Sequence, residues 1–295
     1  MNVLVTGALG QLGKELRKSL ADAGYDFVCT DQCAGDDVSA LDVTDEAAVK
    51  EFFSSNAFDV VVNCAAYTDV NGAEDDEVNA FRVNAEAPKI LAAAAAGYGS
   101  ALIHISTDYV FDGRANQPYK ESDTPAPLNI YGRSKLAGEQ AVISSGCSYI
   151  ILRTAWLYSC NGRNFFNTIV SRTAEQSEMK VVVDQVGTPT YARDLADAIV
   201  HIIGCGISGK EGVYHYTDEG VASWYDFAVE ICAGVGHMCH IMPCRTMEFP
   251  AKAQRPCYSV LDKSEIKRIF GLHIPHWRDS LRLCCAIDYL GDFKI

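Results

Sequence analysis

Long apolar runs are missing from this chain of 295 residues. No stretch approaches the roughly 20 residues needed to cross a bilayer, so a membrane-spanning role is not expected. Positive charge is scarce too: 25 Lys and Arg stand against 38 Asp and Glu, a formal charge of -13. Such a balance repels nucleic-acid phosphates and anionic lipid, and no local basic patch offsets it, so neither is an expected partner. Internal repeats and low-complexity segments are absent. The opening MNVLVTGALG has no charged n-region or small-residue cleavage site of a secretory leader, so the cytoplasm is the expected location. The 12 cysteines are scattered through a long chain rather than set out as a disulfide framework, and reduced thiols are expected. Cys239 and Cys244, with His237 and His240 nearby, lack the paired spacing of a structural zinc site, and no metal is expected.

What the sequence does have is alternation. Apolar runs at Val3 to Thr6, Phe27 to Thr30 and Val60 to Asn63 are separated by helical patterns at Gln11 to Ala23 and Asp45 to Ser55. The series continues with an Ala-rich helix from about Asn79 to Ala96, a strand at Ala101 to Ser106, a helix from about Tyr131 to Ser144 and a strand at Tyr149 to Arg153. Strands alternating with helices predict an α/β fold, a doubly wound parallel sheet of six or more strands with helices on both faces. Beyond residue 155 Pro189, Pro243, Pro250, Pro256 and Pro275 break the pattern into shorter pieces. The expected division is therefore a dinucleotide-binding Rossmann domain over 1–155 and a smaller α/β substrate-binding lobe over 156–295. Val181 to Val183 and Gly212 to His215 are candidate strands that rejoin the main sheet.

The first strand runs directly into TGALGQLG. Gly7, Gly10 and Gly13 stand at the spacing that lets a backbone turn tightly, approach a pyrophosphate and pack a helix on the sheet, with Gln11 and Leu12 opening that helix. Unpaired N–H groups and a positive dipole end at its N-terminus favour an anion. Asp31 ends the second strand, where a carboxylate can bond a ribose hydroxyl; its charge disfavours a 2′-phosphate, which favours NAD(H) or use of both dinucleotides. Asp42 and Val43 are candidates for the adenine side, although an ordinary helix cap would explain Asp42 nearly as well.

The second chemical signature is YGRSK, which places Tyr131 and Lys135 on one face of a helix in adjacent turns. A neighbouring ammonium is expected to stabilise the phenolate and bring the phenol into acid–base range. Upstream, the strand of IHISTDYVF ends on Ser106, Thr107 and Asp108, at the sheet edge where the cofactor crevice opens. A hydroxyl there can polarise a substrate carbonyl, whereas the plainer reading is a cluster that caps a turn.

Together with VVNCAAYTDV, PLNIYGRSKLAGE, ILRTAWLY, NFFNTIV, DQVGTPTYARDLADAI and RPCYSVLD, these segments make the chain resemble the extended short-chain dehydrogenases, and within them the dTDP-4-dehydrorhamnose reductase family, over nearly its whole length. The resemblance implies an NAD(P)H-dependent reductase of the C4 ketone of a dTDP-linked 4-keto-6-deoxy sugar. Thr107, Tyr131 and Lys135 would form the catalytic triad, with Lys135 also on the nicotinamide ribose. Asn63, Cys64, Ala65 and Ala66 would line the cofactor cleft. Asp108, Trp156, Asn164 and Arg255 would face the substrate, against the plainer readings of core for Trp156, a surface ion pair for Arg255 and a helix cap for Asn164. Some relatives form a metal-bridged dimer through acidic residues; Glu15 matches one of them, but Arg193 stands where another would be, so the resemblance implies a monomer or homodimer without that metal. Two other readings remain open: a reductase or epimerase of another nucleotide sugar, and a non-catalytic subunit resembling the regulatory partner of methionine adenosyltransferase.

Overall fold

The computed structural model describes residues 1–249 and 251–289; Pro250, among the element-breaking prolines, and the last residues of the expected second lobe lie outside them. Its centre is a parallel sheet of seven strands: β1 (Asn2–Thr6), β2 (Asp26–Asp31), β3 (Ser39–Ala40), β4 (Val60–Asn63), β5 (Ala101–Thr107), β6 (Ser148–Thr154) and β7 (Gly212–His215). They lie in the order β7-β6-β5-β4-β1-β2-β3. Val3 to Val5, Val61, Val62, Leu102, Ile103 and Ile150 to Leu152 are wholly buried. Such unbroken apolar runs, rather than alternating ones, are what a sheet covered on both faces requires. Succession reverses at β1, where β2 departs on one side and β4 on the other, and that reversal opens a crevice at the carboxyl ends of the strands.

Helices supply the two covering layers. On one face α1 (Gln11–Asp22) sets Leu12, Leu16 and Leu20 among Leu195, Ile199 and Ile202 of a later helix, Ala192–Cys205. On the other, α2 (Glu46–Ser55) and α3 (Ala87–Tyr98) bring Val49, Phe53, Leu91 and Ala95 onto Leu4, Val61 and Leu102. The long Ala-rich helix expected from Asn79 is interrupted: Glu77–Phe81 is α-helical, Arg82–Glu86 is a π-turn, and only then does α3 begin. Pro88 has no N–H to return to the carbonyl of Asn84, so the ladder widens there. The Asn84 carbonyl instead faces α4 (Ile130–Ile143) at Gly138, where a Cβ would come within 2.1 Å of it. Helix α4 is thereby allowed close to the π-turn and the start of α3.

Gly212–His215 pairs with β6 and extends the sheet as expected. The strand around Val181 does not. It spans Glu178–Val182 and pairs in parallel with His240–Cys244 in a separate two-stranded sheet. A second core forms around it from Tyr158, Phe166, Ile169, Phe227, Ile231 and Trp277. None of the helices described is long and apolar enough to cross a membrane.

Candidate functional site

The glycine turn is fixed by sterics. Gly7 has φ +67, and a Cβ there would lie 2.6 Å from the backbone N of Ala65. At Gly13 it would lie 2.3 Å from the carbonyl of Gly7. Both sites admit only hydrogen, so the turn sits directly against the backbone at 64–65 while α1 seats on the turn. Helix α1 starts after Gly10 with no side-chain cap and no acidic residue in its first turn. Its N-terminus can therefore accept an anion. In front lies a cleft of about 390 Å³ lined by Gly7, Gly10, Asp31, Asp42, Val43 and Cys64, with Ala65, Ala66 and Arg82 completing it. A narrow backbone cradle, an uncapped helix end and a cleft of this size fit the pyrophosphate and adenosine half of a dinucleotide.

Several expected cofactor residues also hold the fold together. Asp31 accepts the N–H of Leu9 at 2.9 Å and of Gln32 at 2.8 Å, so both carboxylate oxygens already hold the turn. Asp42 accepts the N–H and hydroxyl of Thr44, and these bonds keep its carboxyl below the usual range. Asn63 is buried; its Oδ1 accepts from the Thr6 hydroxyl at 2.8 Å and the Ala65 N–H at 3.1 Å, and this bends residues 64–66 over the cleft. Leu12 belongs to the core. Gln11 donates to the Leu157 carbonyl at 3.1 Å and tethers the second lobe. Leu9, inside the glycine motif, also lines the cleft, as do Gln32, Leu41 and Thr44; these three and Arg82 carry no local motif that would have revealed them.

Beside the cleft, β5 and α4 bring the reactive groups together. Asn129 caps α4 through the N–H of Gly132 at 2.8 Å, and Gly132 leaves no room for a Cβ, which would strike the carbonyl of Tyr109 at 2.2 Å. The Thr107 hydroxyl hydrogen-bonds the Tyr131 phenol and donates to Asp108 Oδ1 at 3.0 Å. Burial pushes Tyr131 up to about 12, with the Thr107 bond pulling the other way and the Asp108 charge adding to the rise. Burial pushes Asp108 up to about 7, against the hydroxyls of Ser259 and Thr107. Lys135 is only 2% exposed and donates to the carbonyl of Ile105 at 2.5 Å. Its burial brings the ammonium down to about 8, opposed first by Glu139 and then by Cys64. The expected lowering of the phenol by the lysine is thus overturned, because desolvation dominates and the ammonium is held by β5. At neutral pH the phenol keeps its proton, which suits a proton donor.

Ser106 does not point with its neighbour. Side chains alternate along a strand, so Ser106 faces away from Thr107 and donates to Glu139 Oε1 at 2.5 Å. Asn164 caps the helix Phe165–Glu175: its Oδ1 accepts the N–H of Asn167 at 2.9 Å, and its amide reaches the Ser159 carbonyl at 2.8 Å. Arg255 reaches the Tyr109 hydroxyl, and the Tyr109 ring meets the Tyr131 ring edge-on at 5.7 Å. This late segment is tied down by Asn129, which donates to the Gln254 carbonyl at 2.8 Å.

Trp156 holds φ +49, a costly conformation for a bulky side chain and a mark of functional constraint. Its indole edge lies over Gly187, where a Cβ would come within 2.8 Å of it and 2.9 Å of the Ser259 hydroxyl. Ser259 in turn interacts with Asp108, so the indole lies on the Ser259 side of the Asp108 carboxyl. The other face is covered by Trp224 at 3.5 Å and 8° between planes. Sequence reasoning missed Trp224; only the Ser223–Asp226 capping box announces its helix, Trp224–Gly234, and nothing local connects it to Trp156.

Glu15 is buried, bonded to Lys18 at 3.1 Å and Asn161 at 2.9 Å, while Arg193 is paired with Asp22 at 2.6 Å and Asp197 at 3.1 Å. Among the described residues no group of three or more His, Cys, Asp or Glu could hold a metal ion.

The comparisons agree with this geometry. A family model described as the RmlD substrate binding domain matches residues 1–289. A dTDP-4-dehydrorhamnose reductase of Burkholderia thailandensis is 40% identical, with 96% of this chain and 98% of that protein covered. The crystal structure of a dTDP-4-dehydrorhamnose reductase from Clostridium acetobutylicum superposes with a TM-score of 0.92 at 42% identity, covering 99% of this chain and all of that one. Another, from Bacillus anthracis in complex with NADP, gives a TM-score of 0.88 at 37% identity, covering 96% and 98%.

Proposed function

Because the chain belongs to the dTDP-4-dehydrorhamnose reductase family, we propose that it reduces the C4 ketone of dTDP-4-dehydro-L-rhamnose to dTDP-L-rhamnose with NADPH or NADH. The carrying observation is the Thr107 hydroxyl, at the carboxyl end of β5, in contact with the half-buried phenol of Tyr131 alongside the cleft. The turn from Gly7 to Gly13 and the first N–H groups of α1 would hold the pyrophosphate, Asp42 to Thr44 and Arg82 the adenosine side, and Lys135 the ribose next to the reacting ring. When bound, the dihydronicotinamide supplies hydride. Thr107 orients the carbonyl, Tyr131 gives its phenolic proton to the developing alkoxide, and Lys135 offsets the charge left on the tyrosine. Asp108 accepts from Thr107 and so fixes which way that hydroxyl points. Trp156 and Arg255 would face the sugar and its nucleotide. The acting unit is a cytoplasmic monomer or homodimer; Glu15 and Arg193 have their partners within the chain, which argues against a metal bridge between them.

The test is reductase activity on a dTDP-4-keto-6-deoxy-hexose with and without prior 3,5-epimerisation, each reduced dinucleotide being followed separately. Oxidation that depends on the epimerised ketone is expected. No oxidation with either sugar refutes the reading, and equal rates with both refute its stereochemical part. A related outcome concerns the indole pair. Trp224→Ala removes a stacking partner worth about 1 kcal/mol and frees Trp156; KM for the sugar nucleotide should rise about three- to tenfold with kcat little changed. Steady-state kinetics checks it, and a fall in kcat alone would count against Trp156 as a substrate contact.

A further inference from the structure

Behind the reactive face lies a group of ions that the proposed chemistry does not use. Glu139 is 1% exposed and Arg153 is 4% exposed, yet both carry charge-bearing side chains. Arg153, on β6, donates through Nε to Glu139 Oε1 at 2.9 Å and through Nη2 to Oε2 at 2.7 Å. Its guanidinium also lies 5.1 Å above the Phe111 ring, and Nη1 is 3.5 Å from His215 Nε2. The carboxylate takes a further bond from the Ser106 hydroxyl. Three elements are pinned by this one carboxylate: α4 through Glu139 itself, β5 through Ser106 next to Thr107, and β6 through Arg153, which precedes the strained turn at Trp156. A buried bidentate pair is costly to desolvate, and a hydrophobic replacement would serve stability as well, so its presence calls for another use.

The helix spacing supplies that use. Tyr131, Lys135 and Glu139 recur every four residues and share one face of α4. We propose that Glu139 is a positioning residue for the reaction: anchored by Arg153 and Ser106, it locks α4 against β5 and β6 and sets a carboxylate one helical turn from the Lys135 ammonium. The proposal rests on the Tyr131–Lys135 reading above.

Glu139 faces Lys135 with Arg153 of β6 bonded to it, whose charge tempers but does not remove the effect of the carboxylate. Around Lys135 come Tyr131 and Glu139 from α4 itself; from β5 come His104, the Ile105 carbonyl and, past the strand end, Asp108; from the turn after β4 comes the Cys64 thiol. Burial holds His104 neutral, well below its ordinary range, and pushes Cys64 up to about 12, so neither carries charge at neutral pH. Asp108 titrates near 7 and bonds Thr107 rather than the lysine. After burial, Glu139 is the largest influence on the ammonium, and it acts to keep the proton on. Removing its charge lowers the pKa of Lys135, so the alkaline fall in kcat/KM must begin at lower pH.

The experiment is the pH profile of kcat/KM for reduction by wild-type, Glu139→Gln, Glu139→Asp and Arg153→Lys proteins. Glu139→Gln should move the alkaline limb down by about one pH unit, whereas Glu139→Asp, which restores the charge, should return it to the wild-type position even if its rate is lower. Arg153→Lys, which weakens neutralisation of the carboxylate, should raise the limb, and it carries the test should Glu139→Gln fail to fold. A purely architectural role predicts lower rates with the limb unmoved in every variant. That result, an equal displacement in Glu139→Asp and Glu139→Gln, or a downward displacement in Arg153→Lys overturns the proposal. If the wild-type protein reduces no keto-sugar nucleotide at all, the underlying reading fails instead, and the two failures are told apart.

Discussion

Tyr131→Phe should lower kcat for keto-sugar reduction by about 10³-fold while the Kd for the reduced dinucleotide stays within about twofold. The substitution deletes one oxygen and nothing else that holds the site. Phenylalanine keeps the edge-on contact with Tyr109 at 5.7 Å, and α4 keeps its cap at Asn129. What goes is the proton poised on a group that burial raises to about 12. Thr107 donates its one hydroxyl proton to Asp108 and cannot replace the phenol as proton donor. Single-turnover rates and a cofactor titration on the same preparation separate the two quantities. A mutant retaining more than about a tenth of the wild-type rate would remove the phenol from the reaction.

Gly7→Ala should weaken dinucleotide binding by about 100-fold or more, about 2.8 kcal/mol, and lower the unfolding temperature. Two costs combine. The backbone there has φ +67, where a side chain costs about 1–2 kcal/mol, and the new Cβ would meet backbone atoms of Ala65 and Cys64 at 2.6 and 2.8 Å. Backbone cannot swing aside as a flexible side chain can, so residues 64–66, which line the cleft, must move. Gly24 is the control: it has φ +73 with nothing within 4 Å of a Cβ, so Gly24→Ala should cost stability and leave cofactor affinity alone. Calorimetric titration and thermal unfolding of both variants decide the matter. Equal affinities would mean that the close approach of the turn to Ala65 is not what shapes the cradle.

Those outcomes depend on features that differ in how far the sequence reveals them. The sheet was readable because a doubly covered strand must be apolar throughout, as Val3 to Val5 and Val60 to Val62 are, and because each run is followed by a helical period. The partner of a strand is less readable. Val181 to Val183 has the β-branched signature, but that signature is silent on which edge it joins, and His240–Cys244 took it. The Ala-rich helix concealed its π-turn because Pro88 is compatible with a helix start as well as with the ladder that its missing N–H opens.

In the site, helix and strand periods did unequal service. The four-residue step placed Tyr131 and Lys135 together correctly, and one more step reaches Glu139, although Arg153 lies on another element and could not be paired with it from spacing. The two-residue step should have separated Ser106 from Thr107, since adjacent strand residues face opposite ways. Asn164 reads equally well as a cap, and a cap it is; Asp42 instead closes a local turn with Thr44, and the helix after it is capped by Asp45. Trp224 could not have been joined to Trp156 by any local rule, because packing of the second core brings them together.

The central claim is that hydride reaches the C4 carbon of a nucleotide-linked sugar while Tyr131 provides the proton. Reduced dinucleotide carrying deuterium at the transferable position of its ring tests this most directly, with the sugar product examined by mass spectrometry and NMR. One deuterium per molecule, bonded to C4, is the predicted result. Product without label, or with label at another carbon, contradicts it, since an epimerase that returns the hydride it removed incorporates none.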